Sequence, residues 1–266
     1  MTESRPTTPP SHAAPPTPPT PGKTLSSFGV LAGRDVSDDF LKECSALFSQ
    51  NYGVWAANVP PPLKPGASVK MSAAKLRKDC LSDPENSLVV FCYVKSELVG
   101  HAFVTKWLHG EGYIGWVTQL VVDRRQCRRF IATSMLQNIK NDPWFDGVVK
   151  MGMVTSHPSA CNALCKLLNL DAGGLDIAFI REHAASVLAC SPVKYLRAAE
   201  LRGAFIDPDG AGSCEAFTSF YVDHTEPLQA LEAYVERGRW VLGHLQDGHE
   251  FVIILPCPPT LASSVE

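Results

Sequence analysis

The stretch that decides the fold is Thr118–Thr133, TQLVVDRRQCRRFIAT. Its first part is apolar and β-branched, the composition of a buried strand. From Arg128 onward, Ile131, Met135, Leu136 and Ile139 recur at helical spacing. Between the two lie Arg124, Arg125, Arg128 and Arg129, in a chain whose net charge is −3. A strand that feeds a helix through a basic loop makes a seat for anions. The first amides of the helix lack internal partners, the helix dipole is positive there, and arginine adds charge-assisted bonds to phosphate. A nucleic-acid patch would need a wider basic face and interleaved aromatics, and neither is present. A weak basic import signal is a further reading. A solvated charge run is the plainest one, and it fits poorly between a buried strand and an amphipathic helix.

Upstream, three apolar runs follow one another: SLVVFCYVKS, ELVGHAFVTKWL and YIGWVTQLVVD. KSE and HGEG separate them with turn chemistry, so they read as an antiparallel meander. Before the meander, SSFGVLAGRDV reads as a strand. Ser37 is a candidate N-cap for a helix in which Phe40, Leu41, Cys44, Leu47 and Phe48 share a face. Pro60, Pro61, Pro62 and Pro65 mark a loop. Ser68–Leu81 predicts another helix, with Met71, Leu76 and Cys80 or Leu81 turned inward. Downstream, a helix over Arg128–Asn141 ends at Asn141-Asp142-Pro143, VVKMGMVTSH is a strand, and SACNALCKLLNL is a helix. The order β-α-β-β-β-α-β-α is a mixed α/β pattern. Later, ASVLACSPVKYLRAAELRGAF reads as mostly helical, FTSFYVDH and EFVIILPC as strands, and PLQALEAYVERG as a short helix.

These elements imply a disordered Pro/Thr-rich tail over 1–23, a core over 24–170, an extension over 171–257 that packs on it and can complete its sheet, and a flexible tail over 258–266. The chain has 266 residues, 45% of them hydrophobic, enough to bury a real core, and a pI of about 6.2. It shows no apolar run long enough for a membrane span and no secretory signal. Its nine cysteines are odd in number and scattered, several within apolar runs, which fits reduced, buried thiols in a cytoplasmic, or nuclear, protein. His157, Cys161 and Cys165 step by four and could form a ligand stripe on one helical face. Their apolar neighbours favour core packing, and no metal site is assigned.

The ordered pattern resembles the GNAT superfamily of GCN5-related N-acetyltransferases. In that family the fourth strand of the meander runs into a Q/R-x-x-G-x-G/A turn that cradles the pyrophosphate of acetyl-CoA. Here TQLVVD resembles the end of that strand and CRRFIA, Cys127–Ala132, occupies the turn. ELVGHAFV resembles the preceding strand; VVKMGMVTSHP and SACNALCKLL resemble the next strand and its helix. The likeness covers roughly residues 25–170. Within the family the chain is most similar to a group of uncharacterised fungal members, in which the DGHEF segment at Asp247–Phe251 is also expected. Cys127 stands where the family has Gln or Arg, and Phe130 where it has glycine; Ala132 keeps the last small position.

The resemblance implies a GNAT-type mixed, mostly antiparallel twisted sheet flanked by helices. It also implies transfer of an acetyl group from acetyl-CoA to an amine, read here as that of a small molecule. Cysteine-127 through Thr133 (Cys127, Arg128, Arg129, Phe130, Ile131, Ala132, Thr133), with Ser159 and Asn162, would hold the cosubstrate. Amides of Leu120, Val121 and Val122 would hold the pantetheine arm. Direct attack needs a neutral amine, hence a base or water chain, and an acid for the thiolate. His157, Gln119 and Glu111 are the candidate catalytic residues, with His157 first because histidine is the side chain suited to proton transfer near neutrality, and Gln119 as a residue that can orient a water; Ser159 or His157 also reads as a helix cap, His101 as a histidine at the sheet's edge, and Glu111 as a solvated turn residue. Many relatives carry a tyrosine acid on the helix after the fifth strand, and the matching region near Leu167 has none. No nucleic-acid or membrane partner is expected, and the chain reads as a monomer or homodimer. Two other readings stay open: a GNAT-fold protein whose altered turn leaves it CoA-binding, regulatory or non-catalytic, and one that uses a CoA thioester without amine transfer.

Overall fold

A computed structural model describes residues 26–207 and 212–258. The tail assigned to 1–23, and that assigned to 258–266 apart from Pro258, lie outside the described residues. Strand β1 (Ser26–Ala32) is followed by helices α1 (Asp38–Asn51) and α2 (Ala73–Cys80). Next comes the meander β2 (Ser87–Val94), β3 (Glu97–His109) and β4 (Gly112–Val122). Helix α3 (Ile131–Lys140), strand β5 (Val148–Thr155) and helix α4 (Pro158–Leu167) follow. The remainder is α5 (Ile177–Ala189), α6 (Lys194–Ala198), β6 (Glu200–Gly203), β7 (Cys214–Phe217), α7 (Thr225–Glu236) and β8 (His249–Pro256).

One sheet holds all eight strands in the order β1-β2-β3-β4-β5-β8-β7-β6. Every pairing is antiparallel except β4 with β5, which are joined through α3. This is the mixed, mostly antiparallel sheet that the resemblance implies, and β8, β7 and β6 extend it beyond β5. Antiparallel neighbours need only tight turns, while the single parallel pair requires the crossover helix.

The core follows from the sequence period. Phe40, Leu41, Cys44, Leu47 and Phe48 of α1 are all buried, and Ser37 caps the helix by accepting the Phe40 amide at 3.1 Å. Each such large side chain contributes roughly 1.5–3 kcal/mol by leaving water. Ile131, Met135, Leu136 and Ile139 line the inner face of α3. Gly100 on β3 lets this helix come close, because a Cβ there would lie 3.0 Å from Met135 and 3.1 Å from Ile131.

Several boundaries depart from the sequence reading. Ser68 pairs with Val54 in an extended bridge, so α2 starts only after Ser72, whose side chain accepts the Lys75 amide. Helix α3 starts at Ile131 and not at Arg128, because Arg128 and Phe130 both take left-handed φ, which no helix turn accommodates. ELRG, read as helical, is an edge strand, β6. In FTSFYVDH only Phe217 is in a strand; β7 is Cys214–Phe217, and the rest leaves the sheet to pair Val222 with Trp55.

Candidate active site

Strands β4 and β5 pair from Tyr113↔Val148 to Val117↔Met153 and then separate. Beyond that point β5 continues with β8 through Thr155↔Phe251. Leu120, Val121 and Val122 keep their β3 partners and have none on β5. The separation begins at a bulge: Phe103 pairs with Gln119 and Val104 with Val117, leaving Thr118 as the extra residue. Bulges re-aim backbone groups and are common beside active sites. The open edge of β4 thus faces a wedge-shaped cleft.

One side of the cleft is built by the starts of α3 and α4. Phe130 precedes α3 with φ +59° and ψ 15°, and the helix has no side-chain cap. The backbone therefore takes the glycine conformation without a glycine, at a cost of about 1–2 kcal/mol for an L residue. The ring of Phe130 is 78% exposed, so it stands in solvent at the mouth of the turn. Uncapped first-turn amides of Ile131, Ala132 and Thr133 form an anion seat. Three of the four arginines are already engaged. Arg125 is bidentate on Asp123, Arg124 bonds Asn51 through its amide and guanidinium, and Arg129 bonds Gln126. Arg128 has no hydrogen-bond partner among the described residues and is exposed. Cys127 is exposed, with its thiol 3.7 Å from the Asp123 carbonyl oxygen; partial burial, then the charge of Glu226, pushes its pKa up. On α4, the amide oxygen of Asn162 is buried without a partner. It can accept an N–H from an arm lying in the cleft. These features fit a CoA thioester: an open strand edge, an uncapped helix start beside a free arginine, and an unpaired amide oxygen.

The other side is built by α1, α6 and β8. On β8, Glu250 alternates with Val252 and Ile254, which pair with Val154 and Gly152 of β5. Gly152 in turn pairs with Trp116, whose β3 partner Thr105 bonds the Cys80 carbonyl at the end of α2. Glu250 therefore lies on the face that α1 and α2 cover. It is 6% exposed, and burial raises its pKa from an ordinary 4.5 to about 7. The hydroxyl of Thr218 beside it acts weakly in the opposite direction but closes no hydrogen bond of normal geometry. Tyr52 stacks on Phe48 at 4.4 Å between ring centroids. Burial, and then the neighbouring Glu250, pushes its phenol upward. Tyr195 arrives from α6 and donates its hydroxyl to the carbonyl of the bulge residue, Thr118, at 3.3 Å. Its ring is partly exposed at the rim, while the shielded hydroxyl end, with Glu250 nearby, holds the phenol pKa well above 10. A phenol that keeps its proton thus stands at the bulge, with a carboxyl poised near neutrality within electrostatic reach of it.

Of the predicted catalytic residues, Glu111 lies away from the cleft, while Gln119 and His157 border it with their polar atoms engaged. Glu111 precedes β4 in the hairpin turn, whereas the cleft opens past Val117. At about 3.4 Å per residue this puts it roughly 20 Å from the bulge. Gln119 is buried with both ends of its amide used, its oxygen 2.8 Å from His101 Nε2 and its nitrogen 3.3 Å from Met71 Sδ. His101 is fully buried on a central strand rather than at an edge, and burial lowers its pKa to about 4. His157 does cap α4: Nδ1 accepts the Ser159 amide at 3.1 Å and Nε2 lies 2.9 Å from Glu226. Both nitrogens are engaged, and the Ser159 amide is occupied. Cys161 and Cys165 are buried on α4, and burial raises both thiols. Glu250 had one sequence signal, a lone acid opening the apolar run EFVIILP. Tyr195 had none, because nothing in VKYLR shows which strand it reaches.

No family model matches the chain, and no curated protein matches it. Solved structures similar to it include the ribosomal-protein-S18-alanine N-acetyltransferase of Escherichia coli, at 12% identity and a TM-score of 0.37, covering 55% of this chain and 77% of that one. A GNAT-family acetyltransferase of Streptococcus pneumoniae is 11% identical with a TM-score of 0.36, covering 52% and 81%. The NatC complex bound to Gag peptide and CoA is 14% identical with a TM-score of 0.35, covering 52% and 80%. Strand order and the β4–β5 cleft, not these overlays, carry the reading that follows.

Proposed function

We propose that the protein is an acyl-CoA-dependent N-acyltransferase that moves an acetyl group to the amine of a small molecule. The observation that carries this is the cleft at the Thr118 bulge, with an anion seat on one side and Glu250 and Tyr195 on the other. The thioester supplies the acyl group; the chain supplies position and proton transfer. Amides along the open edge of Leu120–Val122 would hold the arm and polarise the carbonyl. Ile131–Thr133 and Arg128 would hold the phosphates, and Asn162 an amide of the arm. Glu250, ionised above about pH 7, takes the proton from the incoming ammonium. Tyr195, still protonated, gives a proton to the departing thiolate.

A small acceptor is favoured by what closes that side. Trp55 and Val222 pair across it, and the Ala56 amide bonds the Tyr221 carbonyl at 2.9 Å. Trp55 and Tyr52 both pack edge-on against Phe220. Such a strap leaves less room for an extended peptide than for a compact amine. Among the described residues no helix is long and apolar enough to cross a membrane.

Calorimetry with acetyl-CoA, followed by thiol release across a panel of small amines, tests the proposal. Saturable binding and turnover that Glu250→Gln abolishes are expected. No binding at about 1 mM acetyl-CoA, at the top of the usual KM range, would overturn it. Binding without turnover on any amine would favour a CoA-binding regulatory protein.

A further inference from the structure

Away from the cleft, strands β6 and β7 and the turn before β8 line an open cavity of about 560 Å³. That size suits a small ligand. Glu215, Phe217 and His249 line it. Glu215 pairs with Phe251, and Phe217 with His249, so these side chains share one face of the sheet. Strand alternation puts Glu250 on the opposite face, so this cavity is separate from the cleft.

Two strong acceptors, Glu215 and His249, stand on its wall beside the donors of Arg202, Ser213 and Gln246. Glu215 is 1% exposed. Its carboxyl takes the Gln246 backbone amide, and its Oε2 is buried with no partner. Buried polar atoms are nearly always paired, so an orphaned carboxylate oxygen at a cavity wall asks for a donor. His249 Nδ1 lies 2.9 Å from the Asp247 carbonyl, which can only accept, so the neutral ring leaves Nε2 as a bare acceptor. Arg202, the one cationic side chain among the described residues of the wall, is paired with Glu200. The Phe217 ring, 5.1 Å from that of His249, adds an aromatic surface suited to a cation.

We propose that this cavity is a second binding site, for a small donor-rich cation such as a primary ammonium or a guanidinium. Its charge would rest on Glu215, a second N–H would reach His249, and its apolar part would lie on Phe217. The inference stands whether or not the cleft binds acetyl-CoA.

The test titrates methylguanidinium and butylammonium chlorides into the full chain at constant ionic strength. Heat is followed by calorimetry, and the His249 ring by NMR with labelled histidine. Expected are saturable binding, a moved His249 signal, and affinity lost by about tenfold or more in Glu215→Gln but kept in Glu250→Gln. An unmoved His249 signal in the wild-type chain would overturn the proposal without relying on any variant. So would equal affinity in a folded Glu215→Gln, or binding lost only in Glu250→Gln, which would place the cation in the acyl cleft.

Discussion

Replacing Glu250 with glutamine should make the protein more stable and less active at once, and the pH dependence of both effects follows from one buried carboxyl. Burial raises the Glu250 pKa from 4.5 to about 7. Between those values the folded chain holds a proton that the unfolded chain has released. Stability therefore falls as pH rises through that window, is unaffected by this group below about 4.5, and levels off above about 7. The rise corresponds to about 3 kcal/mol. Glutamine has no proton to lose and can bond the unpartnered Thr218 hydroxyl. Urea denaturation should thus find Glu250→Gln up to about 3 kcal/mol more stable than the parent at pH 8, and equal to it near pH 4. Thermal midpoints should move by roughly 2–4 °C per kcal/mol for a chain of this size. Activity should go the other way: kcat falls by about 10²-fold or more without the base, and kcat/KM of the parent drops tenfold per pH unit below about 7. Equal stability of the two proteins at pH 8 would refute the account of a carboxyl held in apolar surroundings. Full activity in the variant would refute its role as base.

Tyr195→Phe should lower kcat by about 10²-fold with little change in KM for acetyl-CoA, measured by steady-state thiol release. Phe130→Gly should stabilise the fold by about 1 kcal/mol in urea, because glycine takes φ +59° without strain and the exposed ring packs little. Glu226→Gln removes a carboxylate whose charge reaches Arg124 and Arg128. Calorimetry should show acetyl-CoA binding a few-fold tighter at low salt, with the gain fading as salt screens exposed charges.

The long elements were legible because each carries its own period. The meander, the buried face of α1, its Ser37 cap and the strand–turn–helix at Asp123–Thr133 are local statements, and a local pattern suffices to read them. So was the gap facing Leu120–Val122, once the resemblance supplied the strand order. The start of α3 was read three residues early, since nothing in CRRF announces two left-handed residues other than glycine. The catalytic candidates were read from residue type and from the resemblance, and neither shows a side chain's partners: Gln119 bonds His101 and Met71, His157 bonds Ser159 and Glu226, and Glu111 lies at the other end of its strand from the bulge.

By itself, then, the sequence determined the layers and the basic turn, because periodicity and capping act over a few residues; the edge that faces the cleft followed from the resemblance. Only the tertiary structure decided what stands opposite that edge. Thr118 belongs to the meander, Tyr195 to a five-residue helix and Glu250 to the last strand; α6 brings Tyr195 onto the bulge, and the pairing of β8 with β5 brings Glu250 within electrostatic reach of it. Strand pairing across a hundred residues leaves no local trace, and neither does the burial that brings Glu250 close to neutrality.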